Sequence, residues 1–272
     1  MNMRKDLFSV VGKTCIVTGG MGQLGRQFCR ALAEAGAKVA ILDQRIDEPA
    51  VARHFGELAR SLVTVTADIT KRASLEAGLD EITQKLGTPE VLINNAALDS
   101  PPGACSEENG PFETYPEASW DKVLEVNLKG VFLCCQVFGG AMAVAGRGSI
   151  INISSIYGLV SPDQRIYEYR RNNGQAFFKP VPYSASKSGV LNLTRYLATY
   201  WAPHGVRVNT LTFAGVFNNQ DEGFLKPYCA KVPLGRMARE DEYNGAVVFL
   251  ASDASSYMTG SNMVLDGGFT AW

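Results

Sequence analysis

The strongest constraint on this chain is an alternation. Short runs rich in Val, Ile and Leu are each followed by a stretch of amphipathic, helix-like periodicity. The apolar runs are Thr14–Thr18, Lys38–Asp43, Leu62–Ala67, Val91–Asn95, Ser149–Ser154, Val206–Leu211 and Met263–Leu265. Between them the periodicity predicts helices at Gln23–Ala35 with Gly36 as its stop, up to about Ser61, and at Lys71–Leu86. Longer ones are predicted at Ser119–Val144 and Tyr183–Ala202. Strands that are apolar on both faces need cover on both faces. The expected class is therefore α/β: one doubly wound domain over residues 1–272, with a parallel sheet flanked by helices.

Composition narrows the function classes. Hydrophobic residues make up 46% of the 272, enough for a core, which argues against disorder. Lys and Arg number 26 against 27 Asp and Glu, so no net charge draws the chain to nucleic acid or anionic lipid. The longest low-charge run, Val131–Gly146, is shorter than the roughly 20 residues of a spanning helix. Arg4 and Lys5 are followed by Asp6 and only a brief apolar run, so no secretory leader is expected. Cys15, Cys29, Cys105, Cys134, Cys135 and Cys229 form no C-x-x-C pair, which fits thiols of a reducing, cytoplasmic compartment. His54 and His204 have no second ligand at metal spacing, so no metal site is expected.

Three constellations carry chemistry. The first is Thr18-Gly19-Gly20-Met21-Gly22-Gln23-Leu24-Gly25, between the first strand and the first helix. Glycines there let backbone approach a pyrophosphate, and the helix N-terminus offers free N–H groups; a plain tight turn is the competing reading. The second is Asp43 at the end of the second strand, placed to accept bonds from ribose hydroxyls and repel a 2′-phosphate. This favours NAD over NADP, although Arg45 could reach such a phosphate and Asp43 could equally be a solvated turn acid. The third is Tyr183-x-x-x-Lys187, one helical turn apart. A nearby ammonium favours phenolate and would make Tyr183 an acid/base near neutrality; a packed ring beside a solvated lysine is the alternative.

With these in order, the chain resembles the short-chain dehydrogenase/reductases. Further matching elements are Ala67-Asp68-Ile69-Thr70, Asn94-Asn95-Ala96, Val126-Asn127, Ile151-Asn152-Ile153-Ser154-Ser155, Val206-Arg207-Val208-Asn209 and Asp266-Gly267-Gly268. The resemblance spans about residues 9 to 268 and implies a Rossmann-type fold. It also implies an NAD(P)-dependent enzyme acting on CH–OH groups. By the same resemblance Tyr183 is the acid/base, Lys187 holds the nicotinamide ribose, and Ser155 polarises the substrate oxygen. Asn127, in a distorted helix, would hold a relay water with Lys187. Gly19, Gly22, Gln23, Leu24, Gly25, Asp43, Asp68, Ile69, Asn95, Ala96 and Val216, with Tyr183 and Lys187, would line the cofactor cleft.

Departures from the family pattern concern pocket shape. Gln23 replaces a motif glycine, Phe213-Ala214 replaces Pro-Gly, and Ala97 stands where glycine is common. Ser155 and Tyr183 are twenty-eight residues apart because of an insertion at about 161–182. It interleaves Arg165, Arg170, Arg171 and Lys179 with Tyr167, Tyr169, Phe177 and Phe178. Arginine suits carboxylate or phosphate and tyrosine suits sugar hydroxyls, so Arg165, Arg170 and Arg171 are candidate contacts to an anionic sugar. A charged surface excursion or a subunit contact is the competing reading. The insertion, Phe217-Asn218-Asn219-Gln220 and the terminal Gly268–Trp272 are similar to bacterial surface-sugar members of the flagellin-modification and nonulosonic-acid pathways.

The expected function is interconversion of a secondary alcohol and a ketone on a polyhydroxylated sugar or sugar acid. A sugar epimerase or dehydratase with the same Tyr/Lys pair, and a non-enzymatic nucleotide-binding regulator, are the alternatives. Apolar residues outside one stripe of the two long helices (Val131, Phe132, Leu133, Val190, Leu191, Leu193) predict a homotetramer or homodimer.

Overall fold

The computed structural model describes residues 6–99 and 106–272. Arg4, Lys5, Cys105 and positions 100–104 of the segment Asp99–Pro116 lie outside the described residues. Among the described residues, seven strands form one sheet in the order β3-β2-β1-β4-β5-β6-β7. They are β1 (Thr14–Thr18), β2 (Lys38–Asp43), β3 (Leu62–Thr66), β4 (Val91–Asn94), β5 (Gly148–Ser155), β6 (Val206–Phe213) and β7 (Asn262–Leu265). Every pairing is parallel.

The central strands are largely apolar because they feed two cores. Side chains alternate across a strand. Ile16, Ala40, Leu42, Leu92 and Ile150 enter one core, while Cys15, Val17, Val39, Ile41 and Ile151 enter the other. The helices Arg72–Leu86, Glu117–Ala145 and Val181–Trp201 cover the first face. α1 (Gln23–Glu34) and the helix Asn244–Ala251 cover the second, burying Phe28, Leu32, Val247 and Leu250. β6 runs two residues beyond the apolar run, because Thr212 and Phe213 still pair with both β5 and β7.

The helix Glu117–Ala145 is longer than the low-charge run inside it, and is long and apolar enough to cross a membrane by length and composition. Half of its most apolar window is buried inside this fold, where Val131, Phe138 and Met142 join the first core. Two π-helical turns, Glu125–Gly130 and Cys135–Gly139, interrupt it. Several residues read as a spare apolar face belong to the interior instead. Val131, Leu133, Val190 and Leu191 are 3%, 8%, 0% and 9% exposed, whereas Phe132 is 45% exposed. The sheet and its covering helices claim them first.

The insertion folds rather than loops. Gln164–Tyr167 is a 3-10 turn and Glu168–Asn172 a short helix. Ile166 and Tyr167 pack with Tyr157, Tyr228, Val232 and Phe269 in a third apolar cluster. This seats the segment against the C-terminal ends of β5 and β6, where open parallel sheets form clefts.

Candidate active site

The turn from β1 into α1 is built by exclusion. A Cβ on Gly25 would lie 2.1 Å from the Gly19 carbonyl oxygen, and Gly19 holds φ +61°. Only glycine allows so close a backbone. Gly22 precedes the first turn of α1 and makes no side-chain cap, so the first-turn N–H groups and the dipole face the cleft. The Thr18 hydroxyl accepts the N–H groups of Asn95 and Ala96 at 3.0 and 3.1 Å, fastening the end of β1 to the end of β4. Asn95 Nδ2 donates to the Thr18 and Gly19 carbonyls at 3.1 Å. Its amide therefore holds the glycine turn in shape.

Asp43 lies at the end of β2, and its Oδ2 accepts the Met21 N–H at 3.1 Å. One carboxylate oxygen thus supports the turn while Oδ1 faces only a long contact to the Arg45 N–H at 3.4 Å. Arg45 is exposed. Asp68 accepts both the N–H and the hydroxyl of Thr70, at 3.0 and 2.7 Å, shaping the end of β3. Ile69 points into the first core, and Leu24 packs against the second.

Ser155 ends β5, and Tyr183 and Lys187 occupy successive turns at the start of the helix Val181–Trp201. Lys187 Nζ donates to the Ile153 carbonyl at 2.9 Å and stands 5.7 Å from the centre of the Tyr183 ring. Burial lowers Lys187 to about 8, with Asp99 opposing the shift. Burial pushes the Tyr183 phenol up, Asp99 adds to that, and the hydrogen bond with Ser155 opposes it. Burial is thus the largest influence on the phenol, and the Ser155 hydrogen bond acts against it in favour of phenolate.

Asn127 lies in the π-helical turn Glu125–Gly130 and is fully buried. Its amide clamps Leu98, accepting the N–H at 2.7 Å and donating to the carbonyl at 2.8 Å, and also donates to Ser186 Oγ at 3.2 Å. Ser186 in turn bonds the Tyr183 carbonyl at 2.7 Å. The helix Val181–Trp201 is registered on the sheet by a buried polar relay. Asn94 donates to Asn152 at 2.8 Å and Asn152 to Thr194 at 2.9 Å, while Thr210 bonds Thr194 at 2.8 Å.

Ser155 and Tyr183 open onto a cavity of about 700 Å³. Its walls come from the ends of β5 and β6, the insertion, and the helix Glu222–Cys229.

Comparison with known proteins agrees with this geometry. A family profile described as enoyl-(acyl carrier protein) reductase matches residues 20–270. The chain is 34% identical to a cis-4-hydroxycyclohexanecarboxylate dehydrogenase of Sinomonas cyclohexanicum, over 95% of this chain and 97% of the relative. It is 32% identical to a D-threitol dehydrogenase of Mycolicibacterium smegmatis, over 97% and 95%. A crystal structure of a gluconate 5-dehydrogenase from Burkholderia cenocepacia J2315, in complex with NADP and tartrate, is similar with a TM-score of 0.84 at 29% identity, covering 98% of both chains. The chain belongs to the short-chain dehydrogenase/reductase family. It is an NAD(P)-dependent oxidoreductase acting on CH–OH groups.

Gln23 turns its amide away from the glycine turn and donates to the Phe217 carbonyl at 3.1 Å, bridging the cleft to the loop after β6. Phe213 stacks on Tyr243 with ring centres 4.4 Å apart, which gives the residue in place of proline a packing role. Val216 pairs with Ala238 and lines the cavity. The three candidate arginines separate. Arg165 is paired with Asp163 at 2.8 Å and its side chain is 82% exposed, outside the cavity wall. Arg171 donates to the Gln164 and Phe177 carbonyls at 2.8 Å, stapling the insertion together. Arg170 alone of the three lines the cavity, stacked 4.4 Å over Phe177.

Other wall residues were not among the sequence-predicted contacts, although Lys179 was placed in the insertion. Lys179, Asp99, Tyr157 and Asp221 line the cavity, and Lys179 Nζ stands 5.0 Å from the centre of the Tyr183 ring. One signal existed for Lys179: Tyr183 has a lysine four residues before it as well as four after. Nothing local marks Asp99 or Asp221.

Proposed function

We propose that this protein interconverts a secondary alcohol and a ketone on a polyol or sugar, with NAD(H) as its cofactor and Tyr183 as acid/base. One observation carries the reading. Ser155 and Tyr183 share a cavity whose wall mixes polar and apolar side chains, and Lys187 stands one helical turn behind the phenol. The glycine turn, the uncapped start of α1 and Asp43 suit a dinucleotide: Gly19 and Gly25 keep the turn tight where a Cβ would collide with neighbouring backbone, and the first-turn N–H groups are left for a pyrophosphate. When bound, nicotinamide supplies the hydride chemistry.

The chain's own residues do the rest. The Ser155 hydroxyl orients the substrate oxygen and favours the charged phenol. Tyr183 takes the carbinol proton during oxidation or returns it during reduction. Lys187, held by the Ile153 carbonyl, stabilises that charge, and Asn127 fixes the strand-end loop at Leu98 beside it. Dehydrogenases of D-threitol and gluconate among the relatives support a polyhydroxylated substrate. Asp43 supports NAD, while the NADP of the gluconate 5-dehydrogenase structure marks the other possibility within the family.

We propose also that the protein is a homodimer or homotetramer. Leu124, Leu128, Phe132 and Leu193 line one surface groove along the two long helices. A two-fold axis would set that groove against itself.

The deciding experiment is turnover of a polyol panel with Tyr183→Phe beside wild type. Loss of at least about a hundredfold in kcat, with NAD affinity within about twofold, is expected from removal of the proton-transferring oxygen alone. Substantial turnover by the variant would sink the assignment of Tyr183.

A further inference from the structure

The charges in the cavity wall cancel in pairs. Among the described residues, its ionic lining is Asp99, Arg170, Lys179 and Asp221. Lys179 pairs with Asp99, and Arg170 lies 3.9 Å from Asp221. The second pair is tied further, because Tyr169 donates to Asp221 at 2.8 Å and accepts from Arg170 Nε at 3.1 Å. A substrate carboxylate at either cation would stand beside an aspartate already in place, and the like charges disfavour it.

Hydroxyl groups face no such obstacle. An ammonium has three donors and a carboxylate about four acceptor sites, so each member of a pair can bond a hydroxyl while keeping its partner. The Lys179 side chain is 11% exposed, and its Nζ lies 5.0 Å from the Tyr183 ring centre and 5.9 Å from that of Tyr157. Tyr157 is 8% exposed and lines the same cavity. Its hydroxyl is buried beside the Tyr167 phenol without a well-formed hydrogen bond. A buried hydroxyl in this condition is costly unless something completes it.

We infer that Lys179, Asp99 and the Tyr157 hydroxyl form a subsite for a neutral vicinal diol, holding the hydroxyl next to the carbinol that Tyr183 serves. The inference rests on the oxidoreductase reading above and names the substrate class of that site. Lys179 donates to the neighbouring oxygen, Asp99 accepts its proton, and Tyr157 bonds the next hydroxyl along. The hydroxyl pattern is thereby read beside the reacting carbon, so the contacts bear on orientation as well as affinity.

The test measures kcat/KM of the full chain with NAD on C4–C6 polyols of every configuration. Each is matched with its aldonic acid and with the secondary alcohol lacking the neighbouring hydroxyls. Wild type should prefer the polyol to both partners by about tenfold or more, since a site built for a hydroxyl rejects the analogue without it. Lys179→Met and Asp99→Asn should each shrink the polyol-to-simple-alcohol ratio by about tenfold. Tyr157→Phe, which keeps the ring and its packing, should shrink the same ratio and covers the case in which a charge variant misfolds. An acid preference in wild type that Lys179→Met abolishes would overturn the inference in favour of a carboxylate anchor. An unchanged ratio in the folded variants would overturn it too. Failure of wild type to oxidise any member of the panel would instead reject the oxidoreductase reading itself.

Discussion

Asp43 does two things with one carboxylate, and substitutions can separate them. Its Oδ2 holds the Met21 N–H of the glycine turn, and in the proposed NAD site its charge would repel a 2′-phosphate. Asp43→Asn should retain the turn and lose the repulsion, so NADP affinity rises relative to NAD by about tenfold. Asp43→Ala should weaken both cofactors and narrow the preference as well. Calorimetry with each cofactor reads both effects, and a wild type that already binds NADP more tightly would reject the assignment. Lys187 offers a second test at this scale. Its folded value of about 8 lies below the ordinary 10.5, so the unfolded chain binds more protons between those two values. The burial penalty on the ammonium is therefore full below about 8 and is relieved as pH rises to 10.5. Relative to Lys187→Met, wild type should gain up to about 3 kcal/mol across that window. Denaturant melts of both proteins along a pH series would show it, and parallel curves would refute the shift.

At the scale of elements, the chemistry proposed for Tyr183 depends on how closely the helix Val181–Trp201 lies against the end of β5. Ser154 Oγ donates to the Lys187 carbonyl at 3.0 Å, and Ser188 Oγ to the Gly158 carbonyl at 3.0 Å. Gly158 makes the approach possible: a Cβ there would lie 2.7 Å from Ser154 Oγ and 2.8 Å from the Lys187 backbone. Backbone cannot move aside as a flexible side chain can. Gly158→Ala should cost about 1–3 kcal/mol in stability by overpacking. It should also lower kcat disproportionately, because the helix it displaces carries Tyr183 and Lys187. Thermal melts and initial rates on the same preparation check this, and normal kcat in a destabilised variant would show that the helix position tolerates the shift.

For the molecule as a whole, the unanswered surface is the long-helix face. Phe132 is 45% exposed, and Tyr196 and Tyr200 stack with ring centres 6.0 Å apart while 63% and 60% exposed. Apolar patches of this kind mark contacts with another protein. Light scattering at micromolar concentration should return a dimer or tetramer, and Phe132→Glu should lower the mass by placing a charge in the joint. A monomeric wild type would contradict the assembly.

Local pattern determined much of this protein. Strands such as Thr14–Thr18 and Lys38–Asp43 were legible to the residue because burial on both faces demands unbroken apolar runs. The glycine turn and the Tyr183/Lys187 spacing were legible because their geometry is set by neighbours within one turn. Tertiary packing decided the rest. It made Val131, Leu133, Val190 and Leu191 core rather than interface, since the sheet reaches them before any partner can. It set Arg171 to bonding carbonyls within the insertion and Arg165 to an aspartate two residues away, leaving Arg170 at the cavity. It brought Lys179 to Asp99, eighty residues away along the chain. Residues so far apart along the chain meet only through tertiary structure, here after β4 and β5 have paired, and desolvation, the largest influence on Tyr183 and Lys187, exists only in the folded chain.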